Sequence, residues 1–343
     1  MKRIAVNTSL QYEVCIGSGI LQKTAGVVCQ VTKAKRLCIV SDSNVWPLYG
    51  MALQTQLQQQ FQVCSFVIPA GEDSKNSQNY LALLAYLADK GLDRSDCILA
   101  LGGGVVGDLA GFAAATYLRG IAYIQLPTTL LAMVDSSVGG KTGIDLPGGK
   151  NLVGAFWQPR AVLCDMDTLR TLPKENLRDG CAEVIKYAIL FDEALFAELE
   201  KSGMDFAPEA VIARCVELKR NVVQQDERDG GSRMKLNLGH TIGHAIEQCS
   251  NYSITHGKAV AMGMAMICRA GKCRDTDRIT SLLTRFGLPI TASFTAEELY
   301  TAACMDKKSS GDMVHLIIPR LIGACDIVPT PMEELKTILK EGF

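Results

Sequence analysis

The stretch CILALGGGVVGDLAG, residues 97–111, carries a short apolar run directly into a glycine-rich turn and the start of a predicted helix. Glycines let the backbone approach a phosphate closely, and a helix N-terminus presents free N–H groups and the positive end of its dipole. The spacing Gly102-x-Gly104-x-x-Gly107 therefore fits a dinucleotide-binding turn, with close strand–helix packing as the alternative explanation. An acidic residue usually binds the ribose of a dinucleotide, and Asp42, at the end of an earlier strand, is the best candidate.

The segments around this turn alternate between strand and helix patterns. Apolar runs at residues 37–40, 63–68, 97–101 and 121–126 have the length of buried strands, and residues 79–90 show helical spacing. Uninterrupted apolar strands that alternate with helices predict a parallel sheet covered on both faces.

The second half of the chain is mostly helical. Its predicted elements are helices at 177–199, 208–226, 241–247, 258–272 and 295–305, a hairpin of strands 314–319 and 324–328, and a final helix at 332–339. We therefore expect an α/β nucleotide-binding domain over residues 1–170 and a mostly helical domain over 171–343. Ligand sites favour clefts and the carboxyl ends of parallel strands, so we expect the active site in the cleft between the two domains.

Composition excludes several classes of protein. The 343 residues carry 35 Lys+Arg against 36 Asp+Glu, and this net charge of −1 argues against a nucleic-acid binder. No apolar run approaches the ~18–20 residues of a membrane span, and no apolar signal region follows the N-terminus, which predicts a cytoplasmic protein without a membrane partner. The 13 cysteines are scattered without a Cys-x-x-Cys pair, as expected of reduced, buried thiols.

Further loops have the chemistry of anion binding. Thr128 and Thr129 follow the fourth strand, where their hydroxyls contact a ligand or cap the next helix. The segment DSSVGGKT, residues 135–142, lacks the first glycine of a phosphate-binding loop, which excludes a nucleoside triphosphatase. Lys75 and Lys150 lie in glycine-containing loops and suit anionic ligands, although loop lysines are commonly only solvated.

Three of the four histidines fall within seventeen residues. His240 and His244 lie four residues apart on one helical face, and neutral imidazoles at that spacing can share a divalent metal, while His256 begins the next helix. Glu183 lies on an otherwise apolar helix face, where an isolated charge is costly; an ion pair with Lys186 is the alternative explanation. Two histidines and one carboxylate would leave coordination positions open for substrate oxygens, as in catalytic zinc sites.

Together, these motifs resemble the 3-dehydroquinate synthase family of sugar phosphate cyclases, in family order along nearly the whole chain. The matching strings are GExxK (71–75), LGGGVVGD (101–108), PTTLL (127–131), DSSVGGKT (135–142), GKN (149–151), AEVIKY (182–187), NLGHTxGHA (237–245), HG (256–257) and DKK (306–308), where x is any residue. One departure is Lys258, where many members carry Glu; we expect altered local electrostatics there and retained activity.

The resemblance implies an activity with two cofactors. The substrate would be 3-deoxy-D-arabino-heptulosonate 7-phosphate, and the cofactors would be NAD and a divalent metal, usually zinc, with cobalt as the alternative. The family oxidises a secondary alcohol, eliminates phosphate, reduces the ketone again, and closes the opened ring by an intramolecular aldol step to give 3-dehydroquinate. A homodimer is also implied, in which Arg119 reaches the phosphate of the partner subunit's substrate.

The resemblance also assigns roles to individual positions. The metal ligands would be Glu183, His240 and His256, and His244 would instead lie beside the substrate. The matching catalytic positions are His244, Lys186, Asp135, Lys150 and Asn151. The matching substrate-binding positions are Arg119, Lys141, Asn151, Lys186, Lys219, Arg233, Asn237, His244 and Lys307. The matching NAD positions are Asp42, Asn44, Gly71, Glu72, Lys75, Gly103, Gly104, Val105, Asp108, Thr128, Thr129, Lys141, Lys150, Thr168, Leu169 and Thr171.

Two other classes of protein share part of this pattern. Sister cyclases act on glucose 6-phosphate or sedoheptulose 7-phosphate, and glycerol dehydrogenase-type enzymes share the glycine turn but lack the lysine set. The set Lys141, Asn151, Arg233 and Lys307 suits a substrate with a carboxylate. A non-catalytic binding protein of the same fold would be indicated by a lost ligand or lysine, and none is missing from the sequence.

Overall fold

The computed structural model describes residues 1–306 and 313–343, and it divides them into two compact units. The first unit contains Met1–Pro173 and Lys219–Arg228; the second contains Lys174–Leu218 and Asp229–Phe343. We expected one change of domain near residue 170, yet the segment Lys219–Arg228 returns to the first unit. Hydrogen bonds hold it there, because Glu227 accepts from the Ser9 hydroxyl at 2.6 Å and from Gln158 Nε2 at 2.8 Å.

The described residues form the following strands and helices. The strands are β1 (Lys2–Asn7), β2 (Gln11–Gly17), β3 (Arg36–Asp42), β4 (Gln62–Ile68), β5 (Cys97–Gly102), β6 (Ala122–Pro127), β7 (Lys141–Leu146), β8 (Gly149–Phe156), β9 (Ala161–Asp165), β10 (Met313–Leu321) and β11 (Ala324–Pro331). The helices are α1 (Thr24–Val31), α2 (Met51–Leu57), α3 (Ser77–Asp89), α4 (Gly104–Thr116), α5 (Lys174–Phe191), α6 (Glu193–Ser202), α7 (Pro208–Gln225), α8 (His240–Cys249), α9 (His256–Ala270), α10 (Thr276–Arg285), α11 (Ala296–Asp306) and α12 (Met332–Gly342).

The first unit is built on a sheet of the order β1-β2-β9-β6-β5-β3-β4. From β2 to β4 all neighbouring strands are parallel, which confirms the predicted parallel sheet. Only β1 runs antiparallel to its neighbour, at the edge. The side chains of β1 are alternately buried and exposed, unlike the uninterrupted apolar runs of the inner strands. This strand was therefore not predicted from the sequence.

A two-stranded ribbon, β7 and β8, also belongs to the first unit and was not predicted. It contains two positions that the sequence singled out, Lys141 and Lys150. Position 145 in this ribbon forms an isolated bridge with Asn76, directly before α3. The ribbon, which contains Lys141 and Lys150, therefore lies next to the segment after β4 that contains Lys75.

The second unit is mostly helical, as predicted, with β10 and β11 forming the expected hairpin. The single helix predicted at 177–199 is wrong, because the chain divides there into α5 and α6. The Asp192 side chain causes the break by accepting the Leu195 N–H at 3.0 Å as the N-cap of α6. Helices α8 and α9 lie so close that a Cβ atom at Gly263 would overlap the Gly239 carbonyl oxygen. The start of α8 is therefore packed against the middle of α9.

All 13 cysteines are free thiols, and most of them are buried. No helix in the part of the chain that the structure describes is both long and apolar enough to span a bilayer.

Candidate functional site

One carboxylate and two imidazoles meet inside the second unit. Glu183 is fully buried in α5, and His240 and His256 are the first residues of α8 and α9. Glu183 Oε1 lies 3.6 Å from His240 Nε2 and 3.5 Å from His256 Nε2. All three donor atoms lie within 4.8 Å of one another, which fits a divalent metal held by two histidines and a carboxylate.

The surroundings of this group, which we call the metal cluster, set the charge of each member. Burial, reinforced by the charge of Lys186, lowers the pKa of His240. Burial also opposes protonation of His256, but hydrogen bonds to Glu183 and Glu247 outweigh it and raise the pKa of that ring. Lys186, itself buried, contacts Glu183 Oε2. The ion pair and the metal site therefore use different oxygens of one carboxylate.

Glu247 was not among the predicted site residues. Its side chain is 2% exposed, and its Oε2 lies 3.4 Å from His256 Nδ1. The only signal in the sequence was a glutamate seven residues after His240, which is two turns along the same helical face. A second set of donors, His244, Glu247 and His256, also lies within 4.8 Å.

The pairing of His240 with His244 suggested by their spacing is not what the structure forms. Their rings lie 5.6 Å apart between centroids, but no donor set among the described residues contains both. His244 is exposed, whereas His240 is largely covered. Lys258 is the position at which this sequence departs from the family pattern. It contacts Glu175 of α5, so a negative charge on the adjacent helix balances the positive charge of Lys258.

The remaining predicted substrate positions divide between the two units. Arg233 is buried and Asn237 is exposed, both in a short 3-10 segment before α8. Lys219 belongs to the first unit, where its Nζ donates to Asp135 Oδ1 at 2.5 Å and to the Asp135 carbonyl at 2.7 Å. Lys307 lies outside the described residues.

Lys75 joins several predicted positions of the first unit into one network. Its buried Nζ lies 2.8 Å from Asn151 Oδ1, 2.9 Å from Glu72 and 3.3 Å from Asp108. Burial disfavours the charged amine, but these carboxylates and Asp145 raise the pKa of Lys75 above its ordinary range. Lys150 Nζ lies 3.9 Å from Glu72. The network therefore links the glycine turn to the ribbon.

The backbone of this network is also unusual. Asn151 adopts a φ of 56°, and its N–H donates to Asp145 Oδ1 at 2.7 Å. Gly71, which precedes Glu72, has a φ of 116°, a conformation that favours glycine. Burial raises the pKa of Asp108 to about 6, while Lys75 opposes the rise.

The glycine turn leads into the N-terminus of α4, as predicted. A Cβ at Gly103 would lie 3.1 Å from Thr129, and the buried Thr128 hydroxyl has no hydrogen-bond partner among the residues described. The unpartnered hydroxyl suits a polar ligand. Close packing accounts for the glycines, because at Gly107 too a Cβ would lie only 2.6 Å from a neighbouring side chain, that of Gln125.

The other NAD positions have local partners. Asp42 Oδ1 accepts the N–H groups of Asn44 at 2.8 Å and Val45 at 3.0 Å, so this carboxylate shapes its own turn. Thr168 donates to the Asp165 carbonyl at 2.8 Å, and Thr171 contacts the Tyr49 hydroxyl. Leu169 lies between these threonines in a 3-10 segment, and Val105 is the second residue of α4.

Arg119 lies in a strained turn after α4. Leu118, Arg119 and Gly120 have φ values of 51°, 68° and 121°. The Trp157 indole N–H donates to the Ile121 carbonyl at 3.0 Å directly beside this turn. Such strain persists only where the surrounding structure enforces it, so the position of Arg119 is defined by its neighbours.

Comparisons with known proteins cover nearly the whole chain. The family model described as 3-dehydroquinate synthase N-terminal matches residues 65–179, and the one described as 3-dehydroquinate synthase C-terminal matches residues 180–309. A protein of Pelobacter propionicus (strain DSM 2379 / NBRC 103807 / OttBd1), named 3-dehydroquinate synthase, is 46% identical over 95% of this chain and 95% of its own length.

Two solved structures share the fold. A 2-deoxy-scyllo-inosose synthase complexed with carbaglucose-6-phosphate, NAD+ and Co2+ has a TM-score of 0.90 at 24% identity, covering 100% of both chains. The 2-epi-5-epi-valiolone synthase of Streptomyces hygroscopicus subsp. jinggangensis 5008, with NAD+ and Zn2+ bound, has a TM-score of 0.88 at 27% identity, covering 99% of both chains.

Proposed function

This chain belongs to the 3-dehydroquinate synthase family, and from that premise we propose how its residues serve the reaction of the family. It is an enzyme of the phosphate-eliminating lyase type, with NAD and a divalent metal as cofactors. We propose that it converts 3-deoxy-D-arabino-heptulosonate 7-phosphate to 3-dehydroquinate and phosphate. The observation that carries the proposal is the buried set Glu183, His240 and His256 in a chain 46% identical to a protein of that name.

The metal would be held by Glu183, His240 and His256. When bound, it supplies a Lewis acid that polarises substrate oxygens and stabilises developing negative charge. Lys186 orients the carboxylate by contacting Oε2, which leaves Oε1 facing both imidazole Nε2 atoms. Zinc is our first choice, since a nitrogen-rich site with one carboxylate suits it, and cobalt accepts the same ligands.

NAD would bind at the glycine turn of the first unit. When bound, it would supply reversible hydride transfer at the substrate alcohol, with no net formation of reduced cofactor. The helix N-terminus that follows the glycine turn and the unpartnered Thr128 hydroxyl are suited to a pyrophosphate and its sugars. We assign Lys75 to holding Glu72, Asp108 and Asn151 in place around this ligand. Asp42, Thr168 and Thr171, which also have local partners, are assigned to NAD by family position.

The substrate carries a carboxylate and a phosphate, and the buried cations suit both groups. Arg233 offers a planar guanidinium that can bind a carboxylate through two parallel hydrogen bonds. Lys219, held by Asp135, presents a fixed ammonium to an anion. We assign His244, exposed beside the metal cluster, to proton transfer or phosphate binding. We extend the assignment to Lys141, Asn237 and Lys307 by family position.

We propose a homodimer in which Arg119 enters the partner's site. Several apolar side chains of the first unit are exposed: Leu118, within the strained turn, is 40% exposed, and Leu152 and Phe156 of the ribbon are 54% and 38% exposed. A second copy of the chain would cover them. The 13 free thiols suit a reducing compartment, which supports a cytoplasmic location. A solution mass equal to one chain would contradict the dimer.

The test of the activity is phosphate release. Purified protein with NAD and zinc should release phosphate from the heptulosonate phosphate with no net NADH, measured beside glucose 6-phosphate as the control substrate. Faster release from glucose 6-phosphate would favour a sister cyclase. Steady NADH accumulation on a simple polyol would favour a dehydrogenase.

A further inference from the structure

The two imidazoles of the metal cluster have different partners on their second ring nitrogen. His240 Nδ1 lies 3.1 Å from the Leu238 carbonyl oxygen, which is neutral. His256 Nδ1 lies 3.4 Å from Glu247 Oε2, which is a carboxylate. In both rings Nε2 faces Glu183 Oε1. The cluster therefore has one histidine backed by a carbonyl group and one backed by a buried acid.

The partner on the second nitrogen decides how an imidazole binds a metal. An oxygen that accepts the Nδ1 proton places the free lone pair on Nε2 and fixes the ring orientation. A carboxylate does this more strongly than a carbonyl group and makes the imidazole a better electron donor. The contact of Glu247 with His256 Nδ1 therefore favours coordination through Nε2, on the side of Glu183.

The rest of the surroundings hold the His256 backbone for this contact. Asp179 Oδ1 accepts the Lys258 N–H at 3.1 Å and contacts the Thr255 hydroxyl, which fixes the start of α9. Asp179 and Glu183 lie four residues apart on one face of α5. On this face of α5, Asp179 fixes the backbone around His256 and Glu183 faces the Nε2 atom of its ring. Glu247 of α8 contacts the other ring nitrogen, Nδ1.

We propose that Glu247 is a positioning residue that holds His256 in the Nε2-coordinating form and strengthens binding of the divalent metal. This inference rests on the metal site of the proposed function. Glu247 lies on the Nδ1 side of the His256 ring, whereas Glu183 and the proposed metal site lie on its Nε2 side. Glu247 therefore acts behind the ligand and does not coordinate the metal.

The test is zinc affinity, measured at fixed pH by competition with a chromophoric chelator. Glu247→Gln keeps the size of the side chain but removes its charge, and we expect zinc to bind about 10- to 100-fold more weakly. With cobalt, the visible absorption bands should persist with a shifted position, because the ligands remain and only the donor strength of one changes. Glu175→Gln is the matched control, since it removes an acid paired with Lys258 without touching the His256 ring; its affinity should stay within about twofold of wild type.

The outcomes separate this inference from the metal site itself. If His240→Ala does not weaken zinc binding, the proposed site is wrong. If His240→Ala weakens it but Glu247→Gln leaves the affinity unchanged, the site stands and the role of Glu247 is refuted. If His244→Ala and Glu247→Gln weaken it equally while His240→Ala does not, the second donor set binds the metal. Circular dichroism of each metal-free variant identifies a protein that has failed to fold.

Discussion

Replacing Asp108 by asparagine should stabilise the protein at pH 8 in the absence of NAD and metal. Asp108 Oδ2 lies 3.3 Å from Lys75 Nζ, so the intuitive expectation is that removing the charge destabilises the fold. Burial nevertheless raises the pKa of this carboxyl from 3.8 to about 6, with Lys75 already opposing the rise. The folded protein therefore binds a proton there more tightly than the unfolded chain does, and ionisation opposes folding.

The magnitude follows from the shift of about two pKa units, each of which corresponds to about 1.36 kcal/mol. The ionised carboxylate thus lowers the free energy of unfolding by about 3 kcal/mol. Below about pH 4 the carboxyl is neutral in both states, so the penalty is absent; it develops between about pH 4 and 6 and is complete above. Asp108→Asn should therefore match wild type near pH 4 and exceed it by up to about 3 kcal/mol at pH 8.

The assay is urea denaturation of both proteins between pH 4 and 8. Tryptophan fluorescence is the suitable signal, because both tryptophans, Trp46 and Trp157, lie in the first unit with Asp108. Asp93→Asn is the control, since hydrogen bonds from Ser95 lower the pKa of that exposed carboxyl and its loss should not stabilise the fold. A stability gain that is absent at pH 8, or that does not shrink between pH 6 and 4, would refute the reasoning.

Three further predictions concern both units. His240→Ala should lose bound zinc, while His244→Ala should keep it and lose turnover; equal zinc content in wild type and His240→Ala, by elemental analysis, would contradict the ligand assignment. Gly263→Ala forces a methyl group against the backbone of α8 and should lower the free energy of unfolding by about 1–3 kcal/mol in thermal melts, and an unchanged melting temperature would show that the helices separate easily. Lys219→Met removes the buried cation that contacts Asp135, so it should lower both the free energy of unfolding and the rate of phosphate release. A normal rate of phosphate release would show that Lys219 does not bind the substrate.

Local patterns predicted β3, β4, β5 and β6 of the sheet and most helices of the second unit, but not the buried strand β9 or helix α10. Strand β5 and the glycine turn are examples, because a fully buried parallel strand is apolar at every position and glycines mark the turn that follows it. The N-cap at Asp192 was readable in principle, but its effect was outweighed by the apolar spacing on both sides. Strands β1, β7 and β8 expose much of their surface, so their composition did not separate them from loops.

Spacing was a poor guide to the metal cluster. Two histidines four residues apart share a helical face, yet His240 lies with His256 and Glu183, which come from other helices. The resemblance to a family pointed to that grouping, whereas the periodicity did not. Glu247 was missed because nothing in its own segment distinguishes a buried acid that contacts a ligand from one on a solvated face.

The sequence by itself determined the class of the fold, the alternation of its inner strands with helices, the glycine turn and the family, since each depends on residues close together in the chain or on motifs in a fixed order. Only the tertiary structure decided which oxygen of Glu183 faces the histidines, which nitrogen of His256 faces Glu247, and that Lys75 joins three carboxylates and an amide. Most of these contacts join residues from different helices, strands or loops. Their energies depend on distances and burial, which exist only after the helices and strands have packed.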